Sequence, residues 1–251
     1  MPSAFPSLAL LAGGLATRMR PRTESVPKSL LMIDGEPFLA HQLKLLAEQG
    51  VKDIVICCGY LGDQIESFAG DGSRFGCCIR YSYDGDALLG TGGALRRALP
   101  LLGENFFVMY GDSYLPAGPE RTWKAFLSSR QPALMTVYKN DDRLDASNVE
   151  MRDERVLVYD KVRRTPGMCY IDYGLSLMKA GVLKAWPDGE PFDLSAVMAA
   201  LASSGKLAAY EVRGRFYEIG SPEGFRATEE MLRELRKSQE SELLSLTGCE
   251  Q

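Results

Sequence analysis

The sequence has a single histidine, His41, and no cysteine pair at C-x-x-C spacing, although six cysteines occur in its 251 residues. A histidine relay or a Cys/His zinc site lacks the ligands it needs. Four cysteines stand in adjacent pairs, 57–58 and 77–78, within strand-like runs. Strand neighbours point to opposite faces, so each pair is expected to turn one thiol inward as a small, reduced hydrophobe. No run approaches the ~20 apolar residues of a membrane span. The opening MPSAFPSLALLAGG has no charged flank and its apolar stretch stops at two glycines, unlike a signal peptide. Basic excess is absent too: the net charge is −4, which argues against a general nucleic-acid or anionic-membrane partner. A cytoplasmic protein with no membrane and no nucleic-acid partner is expected, either a monomer or a homodimer. A hydrophobic content of 45% with 25% charged residues belongs to an ordinary folded chain, and the length suits one α/β domain.

Also missing are the two best-known phosphate-binding patterns, G-x-x-x-x-G-K-[ST] and G-x-G-x-x-G. In their place stands Leu8 to Leu31, LALLAGGLATRMRPRTESVPKSLL. An apolar strand runs into Gly13-Gly14, and a long loop follows with Arg18, Arg20, Arg22 and Lys28. Glycines let the backbone come close to a ligand, and the basic residues suit a polyphosphate. A loop this long in a compact domain is usually functional.

Downstream, Leu39 to Gly50 has helical spacing of Leu39, Leu43 and Leu46 and a C-terminal glycine. Strand patterns cover 51–59 and 77–83, with a short helix between them over 61–69. Gly90 to Gly93 reads as a glycine-rich turn before a helix that ends near Pro100. The apolar run Asn105 to Tyr110 ends in Gly111-Asp112, which places a carboxylate where a central strand finishes. Alternating β and α favours a three-layer, Rossmann-like α/β fold with a mixed, mostly parallel sheet, whose ligands bind at the carboxyl ends of the strands. A helix over 119–130 and a strand over 133–139 follow. The segments 148–152 and 155–161 then read as a hairpin turning at Asp153-Glu154. A strand over 168–178, helices near 179–185 and 193–203, and strands over 206–212 and 216–219 complete a second half, which reads as an insertion closing over the sheet. Ser221 and Pro222 suit the start of a last helix, with fraying expected after Leu235.

These residues carry a family resemblance. Gly13-Gly14-Leu15-Ala16-Thr17-Arg18-Met19, then Pro21, Thr23 and Pro27-Lys28-Ser29-Leu30, resemble the signature of the sugar-1-phosphate nucleotidyltransferases. Gly90-Thr91-Gly92-Gly93, Gly111-Asp112, Asp160-Lys161 and Glu218 before Gly220 resemble the later motifs in the right order. The resemblance covers about residues 8 to 230. It implies transfer of a nucleoside monophosphate from an NTP to a sugar 1-phosphate, with release of pyrophosphate.

On this resemblance the chain is one domain, with a nucleotide part over about 8–115, a sugar-phosphate part over about 116–220, and a C-terminal helix and tail over 221–251. Leu11, Ala12, Gly13, Gly14, Thr17, Gly90, Thr91, Gly92 and Gly93 would meet the nucleotide. Arg18 would bind the triphosphate and leaving pyrophosphate, and Lys28 the α-phosphate. Asp112 and Glu218 would hold Mg²⁺, a hard cation that needs few protein carboxylates beside phosphate and water. The family usually has aspartate at the place of Glu218. Asp112, Asn148, Asp160, Lys161, Asp172 and Gly174 would face the sugar phosphate. The combined motifs most resemble short bacterial enzymes that act on mannose- or heptose-type 1-phosphates with GTP. A uridylyl- or thymidylyltransferase for a glucose- or muramate-type phosphate remains the alternative, and a catalytically silent nucleotide-sugar sensor is a rival of another class. The guanylyltransferases of molybdenum cofactor share the glycine loop, but are typically shorter and lack the hairpin and the FYEIG segment.

Overall fold

The computed structural model describes residues 5–247. Nine strands share one sheet: β1 (Leu8–Leu11), β2 (Asp53–Cys58), β3 (Cys78–Tyr83), β4 (Asn105–Tyr110), β5 (Ala133–Lys139), β6 (Val149–Arg152), β7 (Arg155–Tyr159), β8 (Tyr170–Lys179) and β9 (Leu207–Val212). Their spatial order is β3-β2-β1-β4-β8-β5-β9-β7-β6. The first four are parallel, as is the pair β5 and β9. Strand β8 runs antiparallel to both β4 and β5, and β7 to both β9 and β6. The sheet is therefore mixed, with its parallel character concentrated in the first half, where helical crossovers join the strands.

Helices α1 (Phe38–Glu48), α2 (Gly62–Ala69) and α4 (Pro119–Ser129) cover one face, and α3 (Gly90–Ala98), α5 (Ala180–Lys184) and α6 (Leu194–Ser203) the other. Alternate residues of one strand feed the two cores: Ala9, Val55 and Cys57 pack under α3, while Leu8, Ile54, Ile56 and Cys58 pack against α1 and α2. This corrects the expectation of one inward thiol at positions 57–58. Strand β2 is covered on both faces, so both thiols are buried, and desolvation pushes Cys58 up to about 12. The outer pair does behave as expected, with Cys77 buried and Cys78 exposed. His41 bonds the carbonyl of Ile33 at 3.0 Å, a packing role.

The second half is a continuation of the sheet, not a cover over it. Strands β5, β8 and β9 extend it past β4, and only the far edge carries the β6–β7 hairpin. Asp153 and Glu154 turn that hairpin with φ of 50° and 58°, the two left-handed residues a two-residue loop needs. Helix α7 (Pro222–Thr247) begins as the sequence suggests, with Ser221 Oγ accepting from Gly224 N–H at 3.0 Å. It continues past Leu235, where fraying was expected. Glu, Lys and Arg are good helix formers, and Arg236 pairs with Asp34 at 3.0 Å. Residues 248–251, including Cys249, lie outside the described residues.

Phe107 of β4 is fully buried, with the rings of Phe5 and Trp123 each 6.3 Å away. Phe107→Ala should cost about 3–5 kcal/mol in urea unfolding, because the sheet cannot collapse into the cavity left behind.

Candidate active site

All four parallel strands deliver a functional segment at their carboxyl ends. The chain moves outward from β1 to β2 and β3, then returns to place β4 on the other side of β1. The crevice at such a reversal is where open α/β sheets bind ligands. Here the strand ends close on one another through backbone: Gly111 N–H donates to Leu11 O at 2.8 Å, and Tyr60 N–H to Gly13 O at 3.2 Å. A Cβ on Gly13 would stand 2.8 Å from Gly59 N, so that glycine is required by the fold. Gly14 is different. Nothing lies within 4 Å of the place its Cβ would take, so its bare backbone faces open space.

The basic loop is held firmly. Met19 and Leu31 sink into a small cluster with Ile33, Phe38, Ile219 and Phe225, which ties the loop to α7. Thr23 donates to Ala16 O at 2.9 Å, and Tyr60 Oη to Glu24 O at 2.7 Å.

Two cavities open on this edge. One of about 300 Å³ is lined by Leu11, Ala12, Gly13, Gly14, Lys28, Ser29, Gly90 and Thr91, with the carboxylates of Asp84 and Asp193. The other, of about 670 Å³, is lined by Arg18, Asn148, Lys161, Asp172, Gly174 and Glu218. Tyr110 and Asp112 line both.

At the junction Lys28 Nζ meets Asp112 Oδ2 at 2.5 Å, with both side chains about one-fifth exposed. A Cβ on Gly220 would lie 2.8 Å from Glu218 Oε2, 3.0 Å from Asp112 Oδ2 and 3.3 Å from Arg18 Nη2. Gly220 is thus the gap around which two carboxylates and a guanidinium converge. Glu218 is oriented from α7: Gly220 N–H donates to its Oε2, and Ser221 Oγ to its Oε1 at 2.5 Å.

In the larger cavity, Asp172 is fixed by three contacts. Its N–H donates to Asn148 Oδ1 at 3.0 Å, its Oδ1 accepts from Gly174 N–H at 3.0 Å, and its Oδ2 from Tyr159 Oη at 3.1 Å. Burial and the Asp172 carboxylate push the hydroxyls of Tyr110 and Tyr159 far up, so both stay neutral. Lys161 Nζ lies 5.2 Å from the Tyr110 ring centroid.

Comparison with known proteins now has a geometry to explain. The model of the MobA-like NTP transferase domain matches residues 8–215. The chain belongs to that family. Among curated relatives, it is 44% identical over 104 residues to the N-acetylmuramate alpha-1-phosphate uridylyltransferase of Neisseria meningitidis, which covers 41% of this chain and 45% of that protein. It is 27% identical over 217 residues to the D-glycero-alpha-D-manno-heptose 1-phosphate guanylyltransferase of Campylobacter jejuni, covering 86% of this chain and 95% of that one. The crystal structure of HddC from Yersinia pseudotuberculosis complexed with GMP-PN shares the fold at a TM-score of 0.78 and 23% identity, over 91% of this chain and 100% of that one. The two curated relatives are sugar-1-phosphate nucleotidyltransferases, the class that the signature residues of this chain resemble, and the solved structure shares its fold.

Within this NTP transferase, several residues singled out by the signature stand elsewhere. Thr17 is exposed and lines neither cavity. Gly92 and Gly93 are buried in the first turn of α3, which starts at Gly90 with no separate turn before it. Their N–H groups donate to Phe192 O at 2.9 and 3.2 Å, and a side chain on Gly92 would strike the Phe192 ring. These glycines admit the Glu190–Asp193 segment and line neither cavity. Arg18 lines the larger of these two cavities and not the smaller. Asp160 lines neither: its Oδ1 accepts from Val162 and Arg163 N–H at 2.7 and 2.8 Å, the local turn a short aspartate favours, and these bonds lower its carboxyl. Asp84, Asp193 and Tyr110 were not singled out, and Ser29 was named only within the signature. Only Asp84 carried a signal, as an acid closing a strand before a glycine.

Gly220→Ala should cut activity at least ~10-fold while thermal unfolding stays nearly unchanged, since a methyl enters the space between Asp112, Glu218 and Arg18. Wild-type turnover in that variant would show that these three groups do not act together.

Proposed function

We propose that the chain transfers a guanylyl group from GTP to a mannose- or heptose-type 1-phosphate and releases pyrophosphate. The observation that carries the choice of base is Asp84. It closes β3, is only 6% exposed, and lines the smaller cavity. Three strand spacings, roughly 14 Å, separate its place in the sheet from that of Asp112. With the phosphates at Lys28, the base falls toward Asp84. Its Oδ2 accepts from Leu89 N–H at 3.1 Å, and burial raises its carboxyl while that bond and the Arg97 charge pull it back. An ionised carboxylate only accepts hydrogen bonds. Guanine offers it two adjacent donors, N1–H and N2–H. Uracil and thymine offer one N–H flanked by carbonyl oxygens that a carboxylate repels.

The transfer itself needs no proton to move. An oxygen of the sugar phosphate, already ionised near neutral pH, attacks the α-phosphorus. The bond from that phosphorus to the oxygen bridging the β-phosphate breaks, and pyrophosphate leaves with the electron pair. Catalysis is then positioning and charge neutralisation. Lys28 stands at the junction of the cavities, where its charge reaches the attacked phosphate. Gly14 lets the triphosphate approach backbone, and Arg18 faces the anions from the larger cavity. Asn148, Lys161, Asp172 and Gly174 hold the sugar phosphate.

Asp112 and Glu218 fit a hard divalent cation such as Mg²⁺, because both direct oxygens to the space beside Gly220. Among the described residues no group of three or more His, Cys, Asp or Glu side chains could hold a metal ion, so phosphate and water would complete the shell. Such an ion supplies neutralisation of phosphate charge.

The resemblance to the muramate uridylyltransferase supports a second reading, with UTP and a muramate-type phosphate. Pyrophosphate release measured with four NTPs against several sugar phosphates separates the two, and GTP inactive with every sugar would sink the preferred one. Asp84→Asn keeps an acceptor for Leu89 and adds a donor. It should lower kcat/KM for GTP by roughly 10- to 100-fold and raise it for UTP. Lys28→Ala should lose at least ~10²-fold in kcat with the fold intact. Normal turnover there would refute the mechanism.

A further inference from the structure

Asp193 stands at the N-cap position of α6, with φ −93° and ψ 142°, where an aspartate ordinarily accepts a hydrogen bond from the helix's second or third N–H. Its carboxylate makes no such bond. The first N–H of the helix, that of Leu194, donates instead to Thr91 Oγ1 at 2.8 Å. Among the described residues, the one hydrogen bond to the Asp193 carboxylate is a long one, 3.4 Å from Thr91 Oγ1 to Oδ1. Meanwhile Phe192 O accepts from Gly92 and Gly93, so the segment before α6 is fastened across 100 residues of sequence to the start of α3. The second half of the chain thereby delivers a carboxylate, released from capping, to the wall of the nucleotide cavity.

A carboxylate there repels a polyanion unless the ligand brings donors to it. Lys28 and Asp112 mark the phosphate end and Asp84 the base end. Asp193 has a neighbour toward each end: its Oδ1 would stand 3.5 Å from a Cβ on Gly90, the residue after the Leu89 that bonds Asp84, and its charge reaches Tyr110 at the end of β4, whose hydroxyl it helps to push up. The part of a nucleotide between phosphate and base is the ribose, whose neighbouring 2′- and 3′-hydroxyls are a pair of donors spaced for two carboxylate oxygens. We infer that Asp193 is a specificity residue of the nucleotide site, accepting hydrogen bonds from the ribose hydroxyls and so selecting ribonucleotides over deoxyribonucleotides. The inference rests on nucleotidyl transfer as proposed above, but not on the identity of the base.

Calorimetric binding and steady-state turnover of GTP and 2′-dGTP by wild type, Asp193→Ala and Asp193→Asn test it. The wild type should favour GTP by roughly tenfold or more, the worth of a hydrogen bond to a charged group, chiefly in Kd and KM. In Asp193→Ala the ratio should fall to within about twofold, because GTP loses two hydrogen bonds and 2′-dGTP, which has only its 3′-hydroxyl, loses one; the isosteric Asp193→Asn should lie between, with wild-type unfolding temperature. An unaltered ratio in Asp193→Ala, or none in the wild type, overturns the inference and makes Asp193 a solvated rim carboxylate. Should UTP be the better substrate, the pair UTP and 2′-dUTP carries the same readout. Absence of turnover with every NTP overturns the transfer reaction while the binding ratio still decides Asp193, and absence of nucleotide binding overturns both.

Discussion

A lysine and an aspartate 84 residues apart meet at 2.5 Å on the edge of the sheet, and the surrounding structure exists to bring them there. Asp112 is placed by β4, whose end is locked to β1 through Gly111. Lys28 is placed by a loop that leaves β1 and is tied back to the body through Met19, Leu31 and Thr23. Both anchors depend on the direct parallel pairing of β1 with β4. In the pair as it stands, each charge neutralises the other. On the proposed reaction a nucleotide phosphate takes Lys28 and a cation takes Asp112, so each ligand leaves behind the charge that attracts the other. Binding of the two is then coupled, with no conformational change required.

The same constraint explains which parts of the molecule were readable in the sequence. Strands β4 and β5 were visible to the residue, because a buried central strand is a near-continuous apolar run bounded by turn residues. The hairpin at Asp153-Glu154 and the cap at Ser221 were legible for a similar reason, since local chemistry decides them. The fate of the second half was not. Whether β5, β8 and β9 extend a sheet or cover it depends on pairings between residues far apart in sequence, such as Ser176 with both Val108 and Met135, and periodicity is the same in either case.

The site divides along the same line. Gly13, Gly14, Lys28 and Asp112 follow directly from strand ends, and the structure gathers them. Gly92 and Gly93 belong to a motif whose glycines have two physical uses, approach of a ligand and close packing of a helix, and only the position of Phe192 tells them apart. Asp84 and Asp193 were overlooked because an isolated acid after a strand or before a helix is ordinary turn and cap chemistry. What distinguishes them is negative: Asp84 is buried without an ion pair among the described residues, and Asp193 does not cap. Such facts exist only once partners are assigned in three dimensions.

Glu218 shows how a departure from a family pattern is absorbed. Where the resemblance leads one to expect aspartate, the longer side chain here reaches both Gly220 N–H and Ser221 Oγ at the start of α7. That reach requires room, and the room is Gly224, where any side chain would collide with the Glu218 carboxylate. The length of Glu218 and the missing Cβ at 224 thus go together. They place the carboxylate from the helix side, so its oxygens arrive beside Gly220. A Glu218→Asp change would withdraw the carboxylate from both α7 contacts at once. Shortening the side chain at 218 is therefore no neutral change in this chain, because the start of α7 holds the longer carboxylate.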